Sequence, residues 1–240
     1  MTRKKCKNRR PVIQDNCITA ILVDGGFFRK RLNSVSKDIA PQDAADELEV
    51  YCKRHLNERI MGEIYNHSLY RIFYYDCPPV RKSVYNPLTK SNDDLGKSET
   101  YSWITEFFEC LKRKRKFSLR MGEISSVSMG YHLKGEPLKK LLHNSIQVSE
   151  LTANDIYLNI EQKGVDMKIG LDIASLSYKK QVDQIVLISG DSDFVSAAKL
   201  ARREGIDFIL DPMGTTIKPN LFEHIDGLRT VDDKYKYKVK

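Results

Sequence analysis

Apolar and polar positions alternate along this chain in blocks whose period changes from block to block. Ile18 to Val23 is a nearly continuous apolar run, and Ile185 to Ile188 is another, the pattern of strands buried on both faces of a parallel sheet. Leu69 to Tyr75 predicts a further strand, closed by Asp76-Cys77-Pro78-Pro79, and Ile206 to Leu210 predicts another. Phe117 to Ile124 reads as a strand at the sheet edge, and Gly227 to Val231 as a last short one. Between them the period shifts to that of helices. Phe27 to Leu32 can start one, and Pro41 opens a long segment to about Ile60 with Ala45, Leu48, Cys52 and Leu56 on one stripe. Tyr101 to Lys114, Asp166 to Lys180 and Phe194 to Glu204 supply three more. Strands alternating with helices predict an α/β fold, a mostly parallel sheet covered by helices on both faces.

The patterning divides the chain. Residues 1–16 read as a basic flexible arm, 17–232 as one domain, and 233–240 as a basic tail. Turn formers and polar residues dominate 80–100 and the pattern stays weak to about Asn154, so an irregular insertion is expected around 78–160. With 41% hydrophobic and 30% charged residues the composition supports a packed core. No apolar stretch approaches a membrane span, and no apolar segment follows the basic start of the chain, so neither a signal peptide nor a membrane partner is expected. Five scattered cysteines without a Cys-x-x-Cys pair read as reduced thiols of a cytoplasmic protein. The five histidines show no metal-ligand spacing.

Charge adds a partner class. The net charge of +8 is concentrated in the N-terminal arm, in Lys112, Arg113, Lys114, Arg115 and Lys116, and in the lysines of the tail. Such clusters are the footprint of a polyanion, here a nucleic acid, although each is also compatible with a solvated helix end or arm.

Candidate chemistry gathers on aspartates that follow strands. Asp191 and Asp193 stand one residue apart in the turn after Ile188, where ligands of a parallel sheet bind. Asp24 follows the first strand in the same way, with Gly25 and Gly26 clearing space beside it. Asp166 stands in the first turn of a helix, three residues before Ile169 and so on the inward stripe. Asp172, six residues on, is rotated away and is the weaker ligand candidate. Carboxylates brought together need a positive partner, and a hard cation such as Mg2+ or Mn2+ prefers oxygen donors. Helix capping by Asp193 and turn formation by Asp24 are the plainer alternatives. Ser189 and Ser192 could orient water or ligand, and Lys163 and Lys168 flank Asp166.

The blocks Val23-Asp-Gly-Gly26, Tyr74-Tyr-Asp-Cys-Pro-Pro79, Gln162-Lys-Gly-Val-Asp166 with Asp172, and Ser189-Gly-Asp-Ser-Asp-Phe194 resemble the NYN domain of the LabA-like group, within the PIN-like nuclease superfamily. The resemblance runs in order from about residue 18 to 231. It implies a Rossmann-like PIN fold and a metal-dependent ribonuclease, with Asp24, Asp166 and Asp191 as metal ligands and Asp193 among the catalytic acids. Asp172, Ser189, Ser192, Lys163 and Lys168 would support them. Many members carry asparagine where this chain has Phe27.

The expected function is therefore hydrolysis of RNA phosphodiester bonds at an acidic Mg2+ or Mn2+ site. Single-stranded RNA is favoured with DNA left open, the run 112–116 would hold the backbone, and a homo-oligomer is left open. The alternative is an RNA-binding or regulatory module with little nuclease activity. An aspartyl-phosphate phosphatase fits less well, because its Asp-x-Asp motif belongs on the first strand. Dinucleotide binding lacks a Gly-x-Gly-x-x-Gly turn.

Overall fold

The structure is a computed structural model that describes residues 12–60, 63–125 and 129–236. In chain order, β1 (Val12–Asp24) leads to α1 (Gly25–Val35) and α2 (Pro41–Arg54), then to β2 (Asn57–Ile60) and β3 (Glu63–Asp76). A hairpin of β4 (Ser83–Asn86) and β5 (Ser91–Asp94) precedes α3 (Glu99–Lys112) and β6 (Phe117–Met121). Next come β7 (Glu123–Ile124), β8 (Gly130–Leu133), α4 (Gly135–Leu142), β9 (Ile156–Asn159) and β10 (Gln162–Lys163). The chain then runs through α5 (Val165–Tyr178), β11 (Gln184–Ile188), α6 (Val195–Arg203) and β12 (Asp207–Asp211). It closes with α7 (Pro219–Phe222), β13 (Gly227–Leu228) and α8 (Asp233–Lys236).

The main sheet has the order β13-β12-β11-β1-β3-β2, with β6 also paired to β3. Its pairings are parallel except that of β2 with β3. From β1 the chain works outward to β3 and β6, then returns to β11 on the other side of β1, so strand order reverses between β1 and β11. The apolar runs are continuous because both faces are covered. Ala20 and Leu22 of β1 face Ile169 and Ile173 of α5 and Ala198 of α6. Ile21 and Val23 face Phe28 and Leu32 of α1, Leu48 of α2 and Phe107 of α3. Truncating one such buried side chain to alanine costs about 2–5 kcal/mol, so these alternating positions set the strand's register as well as its stability.

Several elements differ from expectation. The helix opened by Pro41 stops at Arg54, six residues before Ile60. His55 turns inward and is fully buried against Asp211, and Asn57–Ile60 pairs antiparallel with the first residues of β3. Those backbone groups of β3 would otherwise lack partners. The first strand begins at Val12, inside the segment expected to be an arm, while residues 1–11 lie outside the described residues. The tail begins as a helix, and its Tyr235 is fully buried edge-on against Tyr51, 5.2 Å between ring centroids. Lys234 pairs with Glu47 at 2.6 Å, and residues 237–240 lie outside the described residues. Within 78–160, α3 packs on the main sheet and β6 belongs to it. The loop expected over 80–100 holds the β4/β5 hairpin, and the pairs β8/β9 and β7/β10 form two further small sheets. Among the described residues, Cys17, Cys52, Cys77 and Cys110 form no disulfide. Among the described residues no helix is long and apolar enough to cross a membrane.

Candidate active site

The strands end level with one another. Val23 is opposite Ile188, Asp24 opposite Tyr75, and Asp76 opposite Met121, so β1, β3, β6 and β11 deliver their last residues to one edge of the sheet. A helix that returns from one parallel strand to the next runs backward, which brings the N-termini of α3 and α5 to this same edge.

Asp24 ends β1 and caps α1. Its Oδ1 accepts the backbone N–H of Phe27 at 3.0 Å and its Oδ2 accepts the hydroxyl of Ser189 at 3.3 Å. Ser189 is fully buried, and its Oγ also accepts the N–H of Asp191 at 3.2 Å. The carboxylate of Asp191 then accepts the N–H of Asp193 at 3.0 Å, which folds the turn back on itself. This turn is narrow because Gly190 lies under the Phe27 ring, where a Cβ would come within 2.5 Å of Cε2. Phe27 therefore closes the gap between α1 and the Ser189–Asp191 turn.

Asp166 lies within the fields of Asp24, Asp191 and Asp193, and Asp24 within that of Asp191. Burial raises the pKa of Asp24, and the negative charge of Asp191 adds to that rise against the lowering effect of the Phe27 and Ser189 hydrogen bonds. Desolvation of its carboxyl and then the charges of Asp24, Asp191 and Asp193 raise the pKa of Asp166. As a residue Asp166 is exposed at the start of α5, not turned inward as its spacing from Ile169 suggested. The first turn of a helix has no preceding turn to pack under, so a side chain there can leave the stripe and face the cleft. Asp166 and Asp193 line an open groove of about 300 Å3 between α5 and α6, floored by Phe194 and Gly170. Asp193 does not cap α6, whose N-cap is Phe194.

The acids do not converge on a point. Among the described residues, no group of three acidic, histidine or cysteine side chains is gathered closely enough to hold a metal ion. The donor set itself suits a hard cation, since it is entirely oxygen and its members repel one another.

Other expected residues fall elsewhere. Asp172 accepts the Tyr75 hydroxyl at 2.8 Å and pairs with Arg120 Nε at 3.0 Å, so its charge is matched away from the acidic group. Ser192 is half-buried in the turn after Asp191, and Lys163 and Lys168 are exposed on either side of Asp166. The basic run 112–116 precedes β6, so it lies at the opposite edge of the sheet. At about 3.3 Å per residue, the five residues of β6 put roughly 13 Å of strand between the run and the acidic edge. Three of its charges are already engaged. Lys114 bridges Asp46 at 2.5 Å and Glu49 at 2.7 Å, Lys112 pairs with Glu109 at 2.6 Å, and Lys116 donates to the carbonyl of Leu69. Arg113 and Arg115 are exposed.

Asp76 and Arg29 were not singled out from sequence. Asp76 ends β3 as Asp24 ends β1, a shared position that was the available signal. It is fully buried, ion-paired with Arg29, and accepts the Tyr74 hydroxyl at 3.1 Å and its neighbour's N–H, from Cys77, at 2.8 Å. Gln162 Nε2 approaches it at 3.4 Å. Gly25 permits this packing, because a Cβ there would lie 2.6 Å from Asp76 Oδ2.

The fold and this edge define a mixed α/β protein with a mostly parallel sheet and an acidic group where strand order reverses. Residues 104–218, a little under half of the chain, match the NYN domain family. That segment contains Asp166, Asp191 and Asp193, while Asp24 and Asp76 precede it. No curated protein matches the chain. Among solved structures, a protein of unknown function from Vibrio parahaemolyticus RIMD 2210633 aligns at 13% identity and a TM-score of 0.45, over 91% of this chain and 95% of that one. A noncanonic maltogenic α-amylase, AmyB, from Thermotoga neapolitana aligns at 8% identity and a TM-score of 0.22, over 89% of this chain and 48% of that one.

Proposed function

We propose that this chain is a metal-dependent ribonuclease of the NYN type, of the LabA-like group and with the Rossmann-like PIN fold, acting on RNA in the cytoplasm. The observation that carries the reading is the delivery of Asp24 and Asp191 to the edge where strand order reverses, joined there through the Ser189 hydroxyl. The NYN match, to a PIN-like nuclease type, supports the same class.

In this reading Asp24, Asp166 and Asp191 would be the ligands of Mg2+ or Mn2+. The bound ion would lower the pKa of a water and neutralise charge on the phosphate. The chain's own groups do the rest. Ser189 fixes the Asp24 carboxylate and the turn that carries Asp191. Asp193 stands at the cleft to take a proton from water, and Lys163 and Lys168 offset the phosphate charge beside Asp166. Arg29 is held by Asp76, which packs against Gly25 next to Asp24. The test is incubation with labelled single-stranded RNA plus Mn2+ or Mg2+, beside Asp191→Asn. Cleavage by the wild type and none by the variant is expected, and equal cleavage by both would end the proposal.

A second reading rests on the dispersed acids. With no three of them gathered among the described residues, the chain could bind RNA and hydrolyse it slowly or not at all. Binding without metal-dependent cleavage in the same assay would select it.

A further inference from the structure

One hollow lies not in the acidic cleft but beside it. It lies between α1, the loop that follows it, and the first turns of α3, and has a volume of about 550 Å3, within the range that holds small ligands. Arg29 and Asn33 form one wall, Lys37 and Ile39 the end, and Trp103 with Ile104 the facing wall. Because α3 begins at the edge where β1 and β3 end, this hollow opens at the same edge as Asp24. Arg29 joins the two, since it lines the hollow and pairs with Asp76, which packs on Gly25 next to Asp24.

From this juxtaposition we propose that the hollow is a subsite for a nucleobase of single-stranded RNA, one that holds the strand while its backbone crosses the acidic cleft. The proposal rests on the ribonuclease reading for the identity of the strand. Trp103 is a fixed platform. Its indole N–H donates to the carbonyl of Ile39 at 2.8 Å, and one face stacks on Phe107 with centroids 5.1 Å apart and planes inclined by 19°. A held indole loses little freedom when a base packs on what remains of its surface. Charge selects base over phosphate. Arg29 is already paired with Asp76, and Asp38 and Glu99 outnumber Lys37 in the lining, so the hollow offers no positive excess to a phosphate. A neutral ring with donors and acceptors suits such a lining better than a dianion does. Stacking tolerates any base, so the subsite would add affinity without reading sequence.

Trp103 is the chain's single tryptophan, so its fluorescence reports on this hollow directly. The experiment titrates the full chain with a short single-stranded RNA in the presence of EDTA, following Trp103 emission and the anisotropy of labelled RNA in parallel. Quenching that tracks the anisotropy curve is expected. Asn33→Phe, an exposed position whose new ring would fill the hollow, should weaken binding about tenfold, the scale of one stacked base. Lys37→Glu, in the exposed loop, should weaken it less.

Unchanged emission at RNA concentrations that saturate the anisotropy would overturn the proposal, as would full affinity in Asn33→Phe or no RNA binding at all. Quenching by adenosine monophosphate but not by RNA would also overturn it, by assigning the hollow to a free nucleotide. Cleavage is read separately with added Mn2+. Quenching without cleavage leaves the subsite standing and removes the nuclease, whereas cleavage without quenching does the reverse.

Discussion

The hydroxyl of Ser189 reaches the carboxylate of Asp24 at 3.3 Å, joining the ends of two strands whose residues are 165 positions apart in the chain. The same oxygen accepts the N–H of Asp191, so one buried side chain fixes two of the acids relative to each other. Ser189→Ala is expected to cost about 1 kcal/mol of stability, the net worth of a hydrogen bond, while leaving the fold intact. Losing that bond should also raise the pKa of Asp24 further, since the hydrogen bond lowers it. Cleavage should therefore fall most at mildly acidic pH. Chemical denaturation together with a pH–rate profile checks both, and a profile parallel to wild type would separate Ser189 from the chemistry.

Asp24 is strained electrostatically but useful locally. Its raised pKa means the folded chain binds that proton more tightly than the unfolded chain does. Its ionised form thus costs stability at neutral pH, and the cost is relieved as pH falls toward the carboxylate range. Asp24→Asn keeps a side chain that caps α1 equally well. The variant should match or exceed the wild-type melting temperature at pH 7 and lose the extra stabilisation on acidification. Millimolar Mn2+ or Mg2+ should raise the melting temperature of the wild type and not of the variant. Melting curves at two pH values with and without metal decide it, and a wild type indifferent to both ions would count against the metal site.

Asp24→Asn, Asp166→Asn and Asp191→Asn are each expected to lose nearly all hydrolysis, with losses that do not add in the double variants, since the three act as a unit. Asp172→Asn should behave differently. It removes a partner of Arg120 and Tyr75, so it should lower the melting temperature more than it lowers turnover. Full activity in Asp166→Asn would break the set.

The basic run separates binding from folding. Lys114→Ala should lower the melting temperature, because the two carboxylates that Lys114 bridges are left facing each other. Arg113→Ala with Arg115→Ala should change RNA affinity and its salt dependence little, since both lie at the far edge of the sheet. Neutralising Lys163 and Lys168 should weaken both affinity and cleavage. Binding curves over a salt series give the answer, and a flattened salt slope in the double arginine variant would return the run to substrate capture.

His55 predicts a stability change at a pH distant from the acidic site. Burial lowers its pKa below the usual 6.5, against the raising effect of its bond to Asp211. The unfolded chain therefore takes up a proton that the folded chain refuses once pH drops below about 6.5, and stability declines there. Urea midpoints from pH 7.5 to 5.5 should fall for the wild type and fall less for His55→Gln. Parallel declines would remove His55 as the cause.

The sequence alone determined the alternation of elements, because each is recorded in a local period. Ile18 to Val23 is apolar but for Thr19, and Ile185 to Ile188 is apolar throughout, the pattern of strands covered on both faces. It also determined that Asp24 and Asp191 follow strands, and that Asp166 opens a helix. The tertiary structure decided what those positions mean. That β1 and β11 are neighbours depends on which strands pair, a relation across 165 residues that no window of sequence contains. The burial of Asp76 with Arg29 likewise rests on a strand end and a helix meeting in space. The orientation of the sheet separated the 112–116 run from the acids, because a helix that returns between parallel strands leaves its C-terminus at the far edge. The early stop of α2 followed from the need to pair the open side of β3. Period is written locally, whereas adjacency, burial of charge and the edge to which a side chain is delivered are properties of the packed sheet.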